Sequence, residues 1–458
     1  MALHDNSSLS GSGTLDNKEN TLYVYAISLV AAMGGLLFGF DTGVISGAIP
    51  FVTENFALNA HQEGFAVSNL LIGCILGAST AGILSDKFGR KKILIASAIF
   101  FLVSALLSAF PRTFVELVIA RFIGGYGVGM ASMLSPLYIA EISPARIRGR
   151  LVSLNQFTIV GGILLSYLAN WLLVDIGPSN WRWMFASEAL PACLFLFTLF
   201  AVPESPRWLV KQGRLDQALK ILTKIGGKKH AEVEISEIKS TIDNENESIL
   251  DLFKPGLRLV LMIGVLLAVF QQITGINTVI YYAPKIFMRA GYESASSALL
   301  AQVIVGITNF VCTIIAIVSI DRFGRKPLLL IGLAGMGVSF ACAGFAFGSE
   351  TIGATWILLP IILYVAFFAM SLGPVVWVLL SEIFPTKIRG RAMSIATMVL
   401  WVSCFLVAQT FPWLVELIEG KTFYLFAVIC IAAFVFVHFM ITETKGKTLE
   451  EIEKLWEH

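Results

Sequence analysis

The sequence predicts an all-α polytopic membrane protein: twelve transmembrane helices in two pseudo-symmetric six-helix bundles, joined by a cytoplasmic helical linker. Composition is the first reason. Of 458 residues, 56% are hydrophobic and 14% charged, with a mean hydropathy of +0.79, well outside the balance of a soluble domain. Length is the second. A spanning helix needs about 20 mostly apolar residues, and twelve runs supply them, at 22–50, 63–84, 93–111, 113–140, 151–174, 181–202, 258–289, 296–320, 327–348, 354–380, 391–418 and 421–442. Repetition is the third. Asp86-Lys-Phe-Gly-Arg-Lys-Lys92 returns as Asp321-Arg-Phe-Gly-Arg-Lys-Pro327, and Glu141-Ile-Ser-Pro-Ala-Arg-Ile-Arg-Gly-Arg150 as Glu382-Ile-Phe-Pro-Thr-Lys-Ile-Arg-Gly-Arg391. The two motifs keep their order and nearly the same offset, which marks two halves of common origin.

The chain therefore divides into a disordered cytoplasmic tail (1–20), a first bundle (21–202), a cytoplasmic helical linker (203–257), a second bundle (258–443) and a cytoplasmic C-terminal helix (444–458). Sidedness follows from lysine and arginine. Most of the 33 basic residues fall in the tails, the linker and the loops after the second, fourth, eighth and tenth spans. The opposite side has only Arg112, Arg182, Lys285, Arg289 and Lys421. Both termini are thus expected on the cytoplasmic side of a bacterial inner membrane. The formal net charge of +2, dispersed over short loops, argues against a nucleic-acid partner. The six cysteines (Cys74, Cys193, Cys312, Cys342, Cys404, Cys430) lie in apolar segments without metal-ligand spacing and read as small core residues. No phosphate-cradling loop, nucleophile elbow or metal cluster is present, so neither an enzyme nor a cofactor is expected.

Taken in order, residues 1–20 are rich in Ser, Asn and Gly and lack a cleavable signal with a basic n-region. The first span then places Asp41 within its glycine-rich stretch, where an ionised carboxylate costs roughly 2.5–3.5 kcal/mol at a helix centre. The fourth span carries Arg121. At 1.5 Å per residue both lie about 12–14 Å from the outer ends of their spans, at matching depth. A change that separates the pair or alters its hydration would swing the acid between charge states, which suits a proton carrier. A static ion pair fastening two helices, or Asp41 capping a helix break, are the structural alternatives. In the seventh span Gln271, Gln272 and Asn277 put amides in hydrocarbon, where they serve either as interhelical glue or as a site for a ligand whose groups both donate and accept. The linker, its charges nearly balanced, reads as solvated with short helices. Thr448-Leu-Glu-Glu451 opens the C-terminal helix with a capping-box pattern. His438 in the last span reads as a lipid-facing or packing residue. Halves duplicated in this way are a transporter architecture, with the substrate site near the midplane between them.

Four motifs together resemble the sugar porter family of the major facilitator superfamily: Gly82-x-x-x-Asp86-x-x-Gly89-Arg90-Lys91, Pro203-Glu204-Ser205-Pro206-Arg207-Trp208, Gln271-Gln272-x-x-Gly275-x-Asn277 and Gly373-Pro374-x-x-Trp377. The chain looks most like the bacterial sugar:proton symporters of the D-xylose type. The resemblance implies alternating access of a functional monomer that carries a monosaccharide and a proton among membrane lipids. It gives Asp41, Arg121 and Glu188 to proton coupling, Asp41 standing where facilitative uniporters carry Asn. It gives Phe38, Gln156, Gln271, Gln272, Asn277, Asn309, Gly373, Trp377 and Trp401 to the sugar, with Tyr281 and Tyr282 as an outer gate. Asp86, Arg90, Glu141, Arg150, Asp321, Arg325, Glu382 and Arg391 would brace the cytoplasmic face of the outward-facing state. The family commonly has an amide before Trp401 where this chain has Leu400, and Ile317 stands where the first half has Gly82, so helix packing is expected to be weaker there. A sugar uniporter, or a non-transporting sugar sensor, are the rival readings.

Overall fold

The structure, a computed structural model, describes residues 20–242, 257–348, 354–384 and 389–445. Within them, twelve helical segments are long and apolar enough to cross a membrane. The first half comprises α1 (Thr21–Phe56), α2 (Ala60–Phe88), α3 (Arg90–Ala109), α4 (Phe114–Ile142), α5 (Ala145–Leu173), α6 (Asn180–Ser187) and α7 (Ala189–Ala201). The linker contributes α8 (Pro206–Lys211), α9 (Leu215–Gly226) and α10 (Lys228–Ile242). The second half comprises α11 (Leu257–Ile273), α12 (Ile276–Arg289), α13 (Ala295–Phe323), α14 (Arg325–Phe347), α15 (Leu358–Met370), α16 (Leu372–Ile383), α17 (Arg389–Ile418) and α18 (Lys421–Met440). The expected tail at 1–19, the end of the linker, Lys387 and all but the start of the C-terminal helix lie outside the described residues.

Three spans that read as continuous are broken, and the breaks have local causes. Between α11 and α12 the chain turns at Gly275, whose φ of 100° is left-handed and open to glycine. Between α15 and α16, Pro374 withdraws the N–H that Met370 would otherwise accept, and Ser371 leaves the helical region with φ −130° and ψ −95°. Pro191 does the same to the carbonyl of Ser187, and Glu188 sits at that break. Sequence reading misses such interruptions because each span stays long and apolar on average across the break.

Within the first half α1 packs on α5 and α4, and α2 on α4; within the second, α14 packs on α18 and α11 on α17. The approach of α2 to α4 is governed by small residues, as is usual where apolar side chains give no drive for association in lipid. A Cβ on Gly125 would run into the Leu70 carbonyl, and one on Gly77 into the Tyr126 carbonyl. Gly82 is a different case: an added Cβ would meet only the Met133 Cε at 3.2 Å. Gly82 thus packs against the flexible tip of a methionine rather than against backbone. The halves meet through α2 with α17, α5 with α13 and α1 with α12. The linker is not merely solvated: Trp208 is buried and its Nε1 donates to the Asp86 carbonyl at 2.8 Å, tying α8 under the first half.

Candidate functional site

The glycine-rich middle of α1 lets α4 and α5 come close, and Asp41 sits there wholly buried. Arg121 Nη1 donates to Asp41 Oδ1, and Nη2 reaches the Asp41 carbonyl at 3.4 Å. The guanidinium also lies over the Phe185 ring, 5.7 Å from its centroid. Glu188 is buried too, at the α6–α7 break and near enough to interact with both partners. Asp41 Oδ2, Arg121 Nε and Glu188 Oε1 find no hydrogen-bond partner among the described residues. Leaving such atoms unpaired is costly in a low-dielectric interior, so the arrangement is that of a cluster with exchangeable chemistry rather than a saturated fastening. Two carboxyl groups and one guanidinium are electrically neutral only with one proton bound.

The second half supplies a cluster without charge. Gln271 Nε2 donates to the carbonyls of Leu372 at 2.9 Å and Gly373 at 3.2 Å, which fastens the break in one span to the break in another. Asn277 Nδ2 donates to Gln272 Oε1 and to Cys404 Sγ, the latter at 3.1 Å. Trp401 is buried, its Nε1 has no hydrogen-bond partner among the described residues, and its ring tilts against Phe38 of the first half at 5.5 Å. Gln156 lies on α5, Asn309 on α13 and Trp377 on α16, and none of their side chains makes a hydrogen bond among the described residues. Contact of the Phe157 and Phe310 rings at 5.0 Å brings the helices of Gln156 and Asn309 together. Leu400 is buried where the family places an amide.

Tyr281 and Tyr282 are both buried. Tyr282 donates to the Ala408 carbonyl at 2.9 Å, so both tyrosines brace α12 against α17 inside the second half. His438 is exposed and stacks on Phe434.

The repeated motifs at the basic end form two separate clusters. In the first half Arg90 pairs with Asp86 at 2.8 Å and Glu141 at 3.0 Å; in the second, Arg325 pairs with Glu382 at 2.8 Å. Arg150 is exposed, and Arg391 Nη1 is buried without a hydrogen-bond partner among the described residues. The Asp321 side chain lies outside the described residues. Each of these ion pairs lies within its own half.

Two features escaped the sequence reading. The Glu204 carboxylate accepts from the N–H groups of Arg90, Lys91 and Ser205, and Glu443 accepts from those of Arg325, Lys326 and Lys445. Thr442-Glu443-Thr444 is thus a third repeated motif, recognisable in retrospect because its distance from Pro203-Glu204-Ser205 matches the other two. At the opposite end the halves are linked directly. Lys285 Nζ sits 2.7 Å from both carboxylate oxygens of Glu63, which is 4% exposed. Ser68 donates to Gln409 at 2.6 Å, and Gln302 to Ser46 at 2.7 Å. These contacts close the end with few basic residues across the halves.

Comparison with known proteins agrees with this architecture. Residues 27–456 match the family described as Sugar (and other) transporter. The chain is 44% identical to the D-xylose-proton symporter of Escherichia coli K12, over 97% of this chain and 98% of that one. It is 42% identical to the arabinose-proton symporter of Bacillus subtilis strain 168, over 95% of each. Among solved structures, the inward open conformation of the xylose transporter from E. coli superposes with a TM-score of 0.85 at 42% identity, covering 95% of this chain and 100% of that one.

Proposed function

The chain belongs to the sugar transporter family, the sugar porters of the major facilitator superfamily, and from that premise we propose that it is a proton-coupled monosaccharide symporter working by alternating access. The observation that carries the coupling is the buried Asp41–Arg121 pair with Glu188 beside it, since intramembrane ionisable groups persist only for a function that repays their burial. Both termini face the cytoplasm of a bacterial inner membrane, a placement supported by the basic loops, and a single copy suffices for transport. Closure of the weakly basic end and the likeness to an inward open relative support an inward-facing state.

In the proposed cycle the Asp41 cluster takes a proton while the protein faces outward, and the sugar binds among Gln156, Gln271, Gln272, Asn277, Asn309 and Trp377. Amides suit this role because each sugar hydroxyl both donates and accepts, and Trp377 and Trp401 offer flat apolar faces to the ring. Rocking of the halves breaks the cytoplasmic motif network and forms the Glu63–Lys285 link, after which sugar and proton leave inward. A proton moving down the potential contributes about 2.3 kcal/mol per 100 mV, enough for roughly 50-fold accumulation.

The test is uptake of labelled D-xylose into proteoliposomes with and without an imposed pH gradient. Accumulation above the outside concentration, with alkalinisation of the medium, is expected. Equilibration without alkalinisation would make the protein a uniporter, and binding without uptake a sensor.

A further inference from the structure

If a monosaccharide binds between the halves, as proposed above, the walls that meet it are chemically unequal. Gln271, Gln272 and Asn277 present amides from one side, and Gln156 and Asn309 from α5 and α13. The hydrogen bond from Asn277 to Cys404 at 3.1 Å fixes which face of α17 looks toward these amides. On that face, one helical turn before and after Cys404, stand Leu400 and Ala408, and Ala396 a turn further back, all buried. The Ser403 hydroxyl is spent within its own helix on the Val399 carbonyl at 2.9 Å. Trp401 adds a ring and one N–H. The thiol, a weak acceptor, is already engaged by Asn277 and lies 3.9 Å from the Tyr281 hydroxyl.

We propose that Cys404, with Leu400 one turn before it, sets the sugar specificity of this transporter by giving one wall of its site almost no hydrogen-bonding capacity. A hydroxyl pressed against that wall loses water without replacement, whereas a CH2 or CH3 group loses nothing. The site therefore selects a monosaccharide with one bare edge: the ring CH2 of a pentopyranose or the methyl of a 6-deoxyhexose, in preference to a hexose with a hydroxyl on C6. Neither residue needs to touch the coupling cluster, so selection and coupling are separable.

The experiment is calorimetric titration of the full-length protein in detergent with D-xylose, 6-deoxy-D-glucose and D-glucose. D-Xylose and 6-deoxy-D-glucose are expected to bind within a few-fold of one another and D-glucose about tenfold more weakly. Leu400→Gln and Cys404→Asn, each supplying an amide to the wall, are expected to shrink that deficit to about threefold or less. D-Glucose binding as tightly as 6-deoxy-D-glucose overturns the inference, as does a deficit unchanged in Leu400→Gln, the variant with the smaller packing demand. Failure of all three sugars to bind the unmodified protein would instead overturn the sugar-transport reading itself.

Discussion

The first half buries Asp41, Arg121 and Glu188 in its interior, whereas the interior of the second half holds Gln271, Gln272 and Asn277 and, among the described residues, no buried charged side chain. The folds are duplicates; the chemistries are not. A charged centre responds to protonation and neutral amides respond to hydroxyls, so on the proposed function each ligand is bound without competing for the same groups. What they share is the seam, where Phe38 meets Trp401 and where the Glu63–Lys285 pair closes one end. On the proposed function, coupling would pass through how the halves pack, a two-state element that both ligands bias.

The largest expected effect comes from erasing the asymmetry. Asp41→Asn keeps the shape of the side chain and removes its titration, so accumulation against a gradient should be abolished, a loss of roughly 50-fold at 100 mV. Sugar exchange at equal concentrations on both sides should survive. Counterflow and gradient-driven uptake in the same proteoliposomes separate the two, and accumulation by Asp41→Asn at the unmodified level would sink the assignment. Next in size is the neutral half. Gln272→Ala removes an amide and leaves Asn277 Nδ2 with only the Cys404 thiol, and should weaken sugar binding by about 10-fold to 100-fold. Proton uptake on sugar binding, measured in weakly buffered detergent solution, should keep its stoichiometry once the sugar is saturating.

A smaller effect tests the seam. Glu63→Gln leaves Lys285 without its counter-ion in a mostly buried place, where breaking a pair costs more than the pair is worth. The closed end should open in a several-fold larger share of molecules, seen as a longer distance between spin labels placed across that end on α2 and α17. An unchanged distance distribution would show that Ser68–Gln409 and Gln302–Ser46 hold the seam unaided.

The contrast between halves was legible in the sequence because it is carried by residue type: an acid and a base at equal depth in the first and fourth spans, amides in the seventh. Span number and the two repeated loops were legible for the same reason, since hydropathy and literal repetition need no geometry. The broken spans were not, because Pro191, Ser371 and Gly275 interrupt backbone hydrogen bonds without interrupting the apolar run. Nor was the Glu63–Lys285 pair, whose members lie in spans that nothing in the sequence brings together. The role of Glu443 was hidden by the drift of its motif from Pro-Glu-Ser to Thr-Glu-Thr, although the glutamate itself is retained.

That glutamate gives the smallest and most local comparison. Gly89 and Gly324 precede α3 and α14 with φ of 100° and 89°, and Glu204 and Glu443 each accept the first N–H groups of those helices, an arrangement favoured by the positive end of the helix dipole. Burial would push the Glu443 carboxyl above its ordinary value of 4.5, but the backbone N–H groups of Lys445, Arg325, Lys326 and Thr444 outweigh it and hold the group below that value. A depressed carboxylate stabilises the folded state at pH above its ordinary range, and that contribution is lost as pH falls through the lower, folded value. Because Glu443 is only half-buried, the contribution is small, below about 1 kcal/mol. The unmodified protein should therefore lose more of its thermal midpoint between pH 7 and pH 4 than Glu443→Gln, which has no charge to lose and starts from a slightly lower midpoint at pH 7. Thermal unfolding in detergent at the two pH values checks this. Equal losses in both proteins would mean that the carboxylate charge contributes nothing at this helix end, and that Glu443 acts there only as a hydrogen-bond acceptor.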